Sequence, residues 1–79
     1  MTVTVLAFGI VKEIFGGSKA EIEINGSTVT ALKNVLEEKY PRLEQLASYM
    51  IAVNDEYADL KQNIQDKDEI AIIPPVSGG

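Results

Sequence analysis

Ser27-Thr28-Val29-Thr30-Ala31-Leu32-Lys33-Asn34-Val35-Leu36-Glu37-Glu38-Lys39-Tyr40-Pro41 is the one long helical run of this chain. Its apolar residues Val29, Leu32, Val35, Leu36 and Tyr40 fall at i, i+3, i+6, i+7 and i+11 and so form a single stripe. Ser27 or Thr28 offers an N-cap oxygen at the start. Pro41 ends the helix, because a proline disfavours helical geometry in the residue before it. A helix with one apolar stripe needs one apolar surface to lie on, and the flanking sequence supplies strands for it.

Upstream, Thr2-Val3-Thr4-Val5-Leu6-Ala7-Phe8 is rich in β-branched residues, alternates, and reads as a strand. Ile10, Val11, Ile14 and Phe15 have helical spacing before Gly16-Gly17 breaks the pattern, which predicts a short helix. Lys19-Ala20-Glu21-Ile22-Glu23-Ile24 alternates strictly and makes a second strand, stopped by Asn25-Gly26. Downstream, Arg42 to Ala47 holds a further short turn with Leu43 and Leu46 pointing inward. Tyr49-Met50-Ile51-Ala52-Val53 is a third strand, and Asn54-Asp55 turns tightly into a short partner, Glu56-Tyr57-Ala58. Leu60 and Ile64 punctuate an irregular stretch, and Asp66-Lys67-Asp68 turns into the last strand, Glu69-Ile70-Ala71-Ile72-Ile73. The order predicts an α+β domain in which one main helix packs on a mixed sheet.

Alternation assigns the faces of that sheet. Val3, Val5 and Ala7, Ile22 and Ile24, and Ile70 and Ile72 face the helix. Glu21 and Glu23 face outward, as do Leu6, Phe8, Glu69, Ala71 and Ile73. If the first and last strands are neighbours, Leu6, Phe8 and Ile73 form an uncovered apolar patch. Fully burying one such side chain stabilises by about 1.5–3 kcal/mol, so together they can anchor a partner.

The composition removes most chemistry. Seventy-nine residues make one small domain. Without Cys there are no disulfides or thiolate metal sites, and without His there is no common general base or usual zinc ligand. The net charge of −5, from twelve acidic and seven basic residues, argues against nucleic acid as a partner. Lys12 and Glu13 interrupt the apolar runs near the start, so neither a signal peptide nor a membrane span fits; a cytoplasmic location is expected. Asp66, Asp68 and Glu69 lack the ligand spacing of a calcium loop and read as a solvated turn. Gly9, Gly16 and Gly17 make no phosphate-binding pattern, and the serines have no imidazole to activate them. Tyr40, Tyr49 and Tyr57 read as core edge or surface.

One chemical handle remains, the terminal run Pro74-Pro75-Val76-Ser77-Gly78-Gly79. The prolines favour an extended segment, and six extended residues reach about 20 Å. The chain thus divides into a body, 1–73, and a tail, 74–79. Two glycines make the narrowest tail a polypeptide can offer to an enclosed site. The carboxylate of Gly79 is ionised at neutral pH and gains reactivity only if another enzyme adenylates it with ATP.

These features resemble the small subunits of molybdopterin synthase, the MoaD type of ubiquitin-like sulfur carrier. The resemblance rests on the N-terminal strand, the Gly-Gly turn and the capped helix. It rests also on the Val53-Asn54 hairpin, the acidic turn before Glu69-Ile70-Ala71 and the Pro-Pro-Val-Ser-Gly-Gly terminus. It covers nearly the whole chain, and the last six residues are its most specific part. Lys67 departs from it, where such carriers commonly have glycine between the two acidic residues.

The resemblance implies a ubiquitin-like β-grasp fold. It implies that Gly79, made accessible by Gly78, is adenylated by a ubiquitin-activating-like adenylyltransferase and converted to a thiocarboxylate. The sulfur then passes to cyclic pyranopterin monophosphate in the large subunit, within a heterotetramer. Leu6, Phe8, Ile73, Pro74, Pro75, Val76 and Ser77 would contact the partner; the carrier itself binds no cofactor, and ATP is used by the activating enzyme. The terminal Gly-Gly logic is shared by carriers for thiamine, cysteine or tungsten cofactor synthesis. A non-catalytic ubiquitin-like binding module is the reading of a different class.

Overall fold

Alternating β-branched and apolar residues build strands, and the two apolar stripes build helices, in the computed structural model, which describes residues 1–46 and 48–75. In chain order the elements are β1 (Thr2–Ala7), α1 (Ile10–Phe15), β2 (Lys19–Glu23), α2 (Val29–Lys39), a 3-10 turn (Pro41–Gln45), β3 (Met50–Val53), β4 (Glu56–Tyr57) and β5 (Glu69–Ile73). The expected strands run slightly longer than these. β1 stops at Ala7 because the Phe8 carbonyl already accepts from the Val11 N–H, 3.0 Å away, and so begins the turn into α1. Ile24 lies just past β2, yet its N–H still reaches the Met1 carbonyl at 2.9 Å.

The sheet order is β2-β1-β5-β3-β4. β1 and β5 are parallel, with Val5 opposite Ile70 and Ala7 opposite Ile72, while the other pairings are antiparallel. The sheet is therefore mixed, with the first and last strands adjacent at its middle. On its inner face Val3, Val5, Ala7, Ile22, Ile70 and Ile72 are buried and join Val29, Leu32 and Leu36 of α2 in one core. This is the β-grasp arrangement.

The start of α2 shows how completely the helix is tied to the rest. Thr28, in extended geometry, is the cap, and its hydroxyl accepts from the Ala31 N–H at 3.2 Å. The N–H groups of Val29 and Thr30 donate to the carbonyls of Gln62 and Leu60 at 3.0 and 2.9 Å. Donors that a helix N-terminus ordinarily leaves orphaned are thus paired. The stretch between β4 and β5, which looks irregular in the sequence, is pinned by these bonds and by buried Ile64. At the other end Phe15 stacks on Tyr40, centroids 4.5 Å apart, locking α1 against the end of α2.

Candidate functional site

The outer face of the sheet carries the candidate site. Strand register sets Leu6 beside Ala71, Ala71 beside Ala52, and Ala52 beside Tyr57, so one row crosses four strands. Two alanines in the middle of the row leave a hollow, walled by Leu6 on one side and Tyr57 on the other. Phe8 and Ile73 close one end, and Glu69 and Asp55 the other, around a cavity of about 310 Å³. Phe8 is 47% exposed and Tyr57 66%, so two aromatic rings stand free at its rim.

The structure brings Leu6, Phe8 and Ile73 together as the alternation and the β1–β5 adjacency require. Pro74 follows β5 half-buried and Pro75 is exposed. Val76, Ser77, Gly78 and Gly79 lie outside the described residues. Ala52, Asp55 and Tyr57 complete the groove without having been anticipated. A two-residue strand has no period to read, but the Asn54-Asp55 turn carried the signal. A two-residue hairpin loop puts Ala52 opposite Tyr57, hence on one face.

The acidic end of the groove is held rigidly. Asn54 and Asp55 both have positive φ, 53° and 71°, as this type of hairpin turn requires. The Asn54 side chain then reaches β5: its Nδ2 donates to Asp68 Oδ1 at 3.1 Å, and its Oδ1 accepts from the Glu69 N–H at 3.0 Å. Asp68 Oδ2 accepts from the Gln65 N–H at 2.8 Å. That backbone bond first, then the Asn54 amide, holds the Asp68 carboxyl below its ordinary range. Asp68 is thus a turn-stabilising residue, and among the described residues no three acidic side chains gather as a metal site would need.

A second, more polar cleft lies beside α2, with Lys33, Glu37 and Tyr49 on its wall. The Tyr49 hydroxyl donates to Glu37 Oε2, and Lys33 Nζ sits 3.1 Å from the same oxygen. These three groups satisfy one another. No helix among the described residues is long and apolar enough to cross a membrane. The groove offers apolar walls, a carboxylate end, and a chain that leaves from its Ile73 corner.

Comparison with known proteins places this geometry. The model of the ThiS family matches residues 5–79. The chain belongs to the ThiS family. Within it, the molybdopterin synthase sulfur carrier subunit of Mycobacterium tuberculosis is 41% identical over 80 aligned positions, covering 98% of this chain and 96% of its own. A chain in the Helicobacter pylori complex of subunits 1 and 2 of molybdopterin-converting factor is 34% identical, with a TM-score of 0.72 and full coverage of both chains. The small archaeal modifier protein 1 of Methanosarcina acetivorans is 28% identical, with a TM-score of 0.82 over 99% of this chain and 96% of its own. The ubiquitin-like β-grasp fold is thus common to this ThiS-family chain and its solved relatives.

Proposed function

We propose that the chain is the sulfur carrier subunit of a molybdopterin synthase, working in the cytoplasm. The observation that carries this reading is the groove of Leu6, Phe8 and Ile73 at the point where β5 continues into Pro74 and Pro75. It sets an apolar docking surface at the root of a tail ending in Gly78-Gly79. The likeness to molybdopterin synthase carriers over nearly the whole chain supports it.

In this reading the body, 1–73, docks and the tail, 74–79, reacts. An activating adenylyltransferase binds ATP; a carboxylate oxygen of Gly79 attacks the α-phosphate and pyrophosphate leaves. A persulfide sulfur then attacks the acyl carbon and AMP departs with the electron pair; a thiol attacks the donor-side sulfur of the resulting acyl disulfide, leaving with it as a disulfide and freeing the thiocarboxylate. The large subunit takes the loaded tail and passes the sulfur to cyclic pyranopterin monophosphate. Two such deliveries form the dithiolene, within a heterotetramer of two small and two large subunits. Pro74, Pro75, Val76 and Ser77 line the entry path, Gly78 allows close enclosure, and the proton-transfer groups come from the partner.

Intact-mass measurement tests this after incubation with ATP, an activating enzyme and a sulfur donor. The carrier gains the difference between a sulfur and an oxygen atom at its terminus, and with the large subunit it converts the pterin precursor. Deleting Gly79, or adding one residue after it, abolishes delivery while the melting temperature stays unchanged. Full activity of either variant overturns the terminal mechanism. Sulfur delivered only to another acceptor points to the thiamine, cysteine or tungsten pathway, and a lysine conjugate or no product points to a modifier or binding module.

A further inference from the structure

The chain leaves the sheet beside Gly9, and Gly9 has a backbone that only glycine adopts readily. Its φ is 56° and its ψ −131°, the mirror image of the extended conformation used by ordinary residues. Two constraints meet there. β1 and β5 are parallel and end together, with Ala7 opposite Ile72. One chain must then turn aside into α1 while the other runs straight on. Gly9 makes that turn, and its carbonyl accepts from the Lys12 N–H at 3.1 Å. The ring of Pro74 passes directly over it: a Cβ built on Gly9 would stand 3.2 Å from Pro74 Cγ. That is tighter than most such contacts, so a side chain at position 9 would push the ring aside by a few tenths of an ångström.

We propose that Gly9 is a positioning residue that fixes the direction in which the tail leaves the body. The proposal rests on the sulfur-carrier reading for its consequence, though not for its geometry. Proline limits the backbone both at its own position and at the residue before it. With Pro74 followed by Pro75, a direction set at Gly9 cannot be absorbed by free rotation at Ile73 or Pro74. For a fully extended run of five residues at about 3.3 Å each, a tilt of about 10° at its root displaces the far end by about 3 Å. A reacting group misplaced by about 1 Å can lose about 100-fold in rate. The body's grip on Pro74 thus sets the direction in which the chain leaves the body at Pro75 when the groove is docked.

The test compares glycine, L-alanine and D-alanine at position 9, the last made by chemical synthesis. D-alanine favours positive φ and projects its methyl along the other Cα bond, not toward Pro74. The chain has no cysteine, so Lys39→Cys and Ser77→Cys give two unique spin-label sites for a distance measurement. The label at position 77 stands three residues from Pro74, so Gly9→Ala shifts the mean distance by up to about 2 Å, and D-alanine keeps the parent value. In single-turnover transfer from preloaded carrier, Gly9→Ala slows sulfur delivery by at least about tenfold, with affinity for the large subunit changed by less than about threefold. Restoring room through Pro74→Ala in the Gly9→Ala background recovers part of the rate. Superimposable distances for glycine and L-alanine, or a D-alanine chain as displaced as the L-alanine one, overturn the proposal. A parent chain that transfers no sulfur refutes the carrier reading alone, and the distances still decide the role of Gly9.

Discussion

Tyr49 shows what one residue does that its sequence context does not announce. Burial first, and then its bond to Glu37, push its phenol well above the ordinary tyrosine range. The same bond, helped by Lys33 and opposed by partial burial, lowers the Glu37 carboxyl. A carboxyl with a lower pKa in the folded state lets the unfolded chain bind more protons as acidity rises. Stability from Glu37 and Asp68 is therefore present at neutral pH and lost as pH falls below about 5. Tyr49 has the opposite sign: its share holds below about pH 10 and is lost as pH climbs further. Tyr49→Phe should cost about 1–2 kcal/mol in urea unfolding at pH 7, soften the acid decline and remove the alkaline one. An unchanged pH profile would mean the pair contributes nothing. No periodicity points to this bond, because it joins residues of α2 and the approach to β3 that meet only after folding.

At the level of elements, α2 is held by its cap and by its neighbours. Thr28→Ala should lower stability by about 1 kcal/mol, read from thermal unfolding, because the Ala31 N–H loses its acceptor. Gly26 sits so close that a Cβ there would lie 2.8 Å from Ala31 Cβ. Gly26→Ala should therefore cost about 1–3 kcal/mol by overpacking. Adding Ala31→Gly should recover part of that loss, although glycine alone weakens a helix by about 1 kcal/mol. Strictly additive losses would contradict the contact. The helix, the alternating strands and their buried faces were legible because side-chain period reports burial directly. β4 was legible from the Asn54-Asp55 turn, but the place of Ala52 and Tyr57 in the groove and the segment pinned at the start of α2 were not, since a two-residue strand has no period and backbone-to-backbone partners leave no mark on composition. The strand order also stayed conditional in the sequence, and with it the patch of Leu6, Phe8 and Ile73.

For the whole molecule, the decisive arrangement is the segregation of a closed core from an open outer groove. Phe8 contributes little to the core, so Phe8→Ala should leave the melting temperature nearly unchanged while weakening the large-subunit complex about tenfold, measured by calorimetry. Equal affinity would remove Phe8 from the interface. The edges of the sheet are guarded against unwanted pairing: β4 is two residues long, and β2 carries Lys19, Glu21 and Glu23. The last residues of the tail, the most specific part of the resemblance, lie outside the described residues, so their role is legible in sequence and family only.

The parallel pairing of β1 with β5 also makes the body resistant to being pulled apart. Traction on Pro75 against an anchored Met1 drags the two strands past each other lengthwise, so their ladder bonds share the load instead of opening singly. β3 grips β5 from its other side over Ile70–Ile73. An unfolding motor that pulled on Pro75 would meet this sheared clamp at once, before reaching any loop it could loosen.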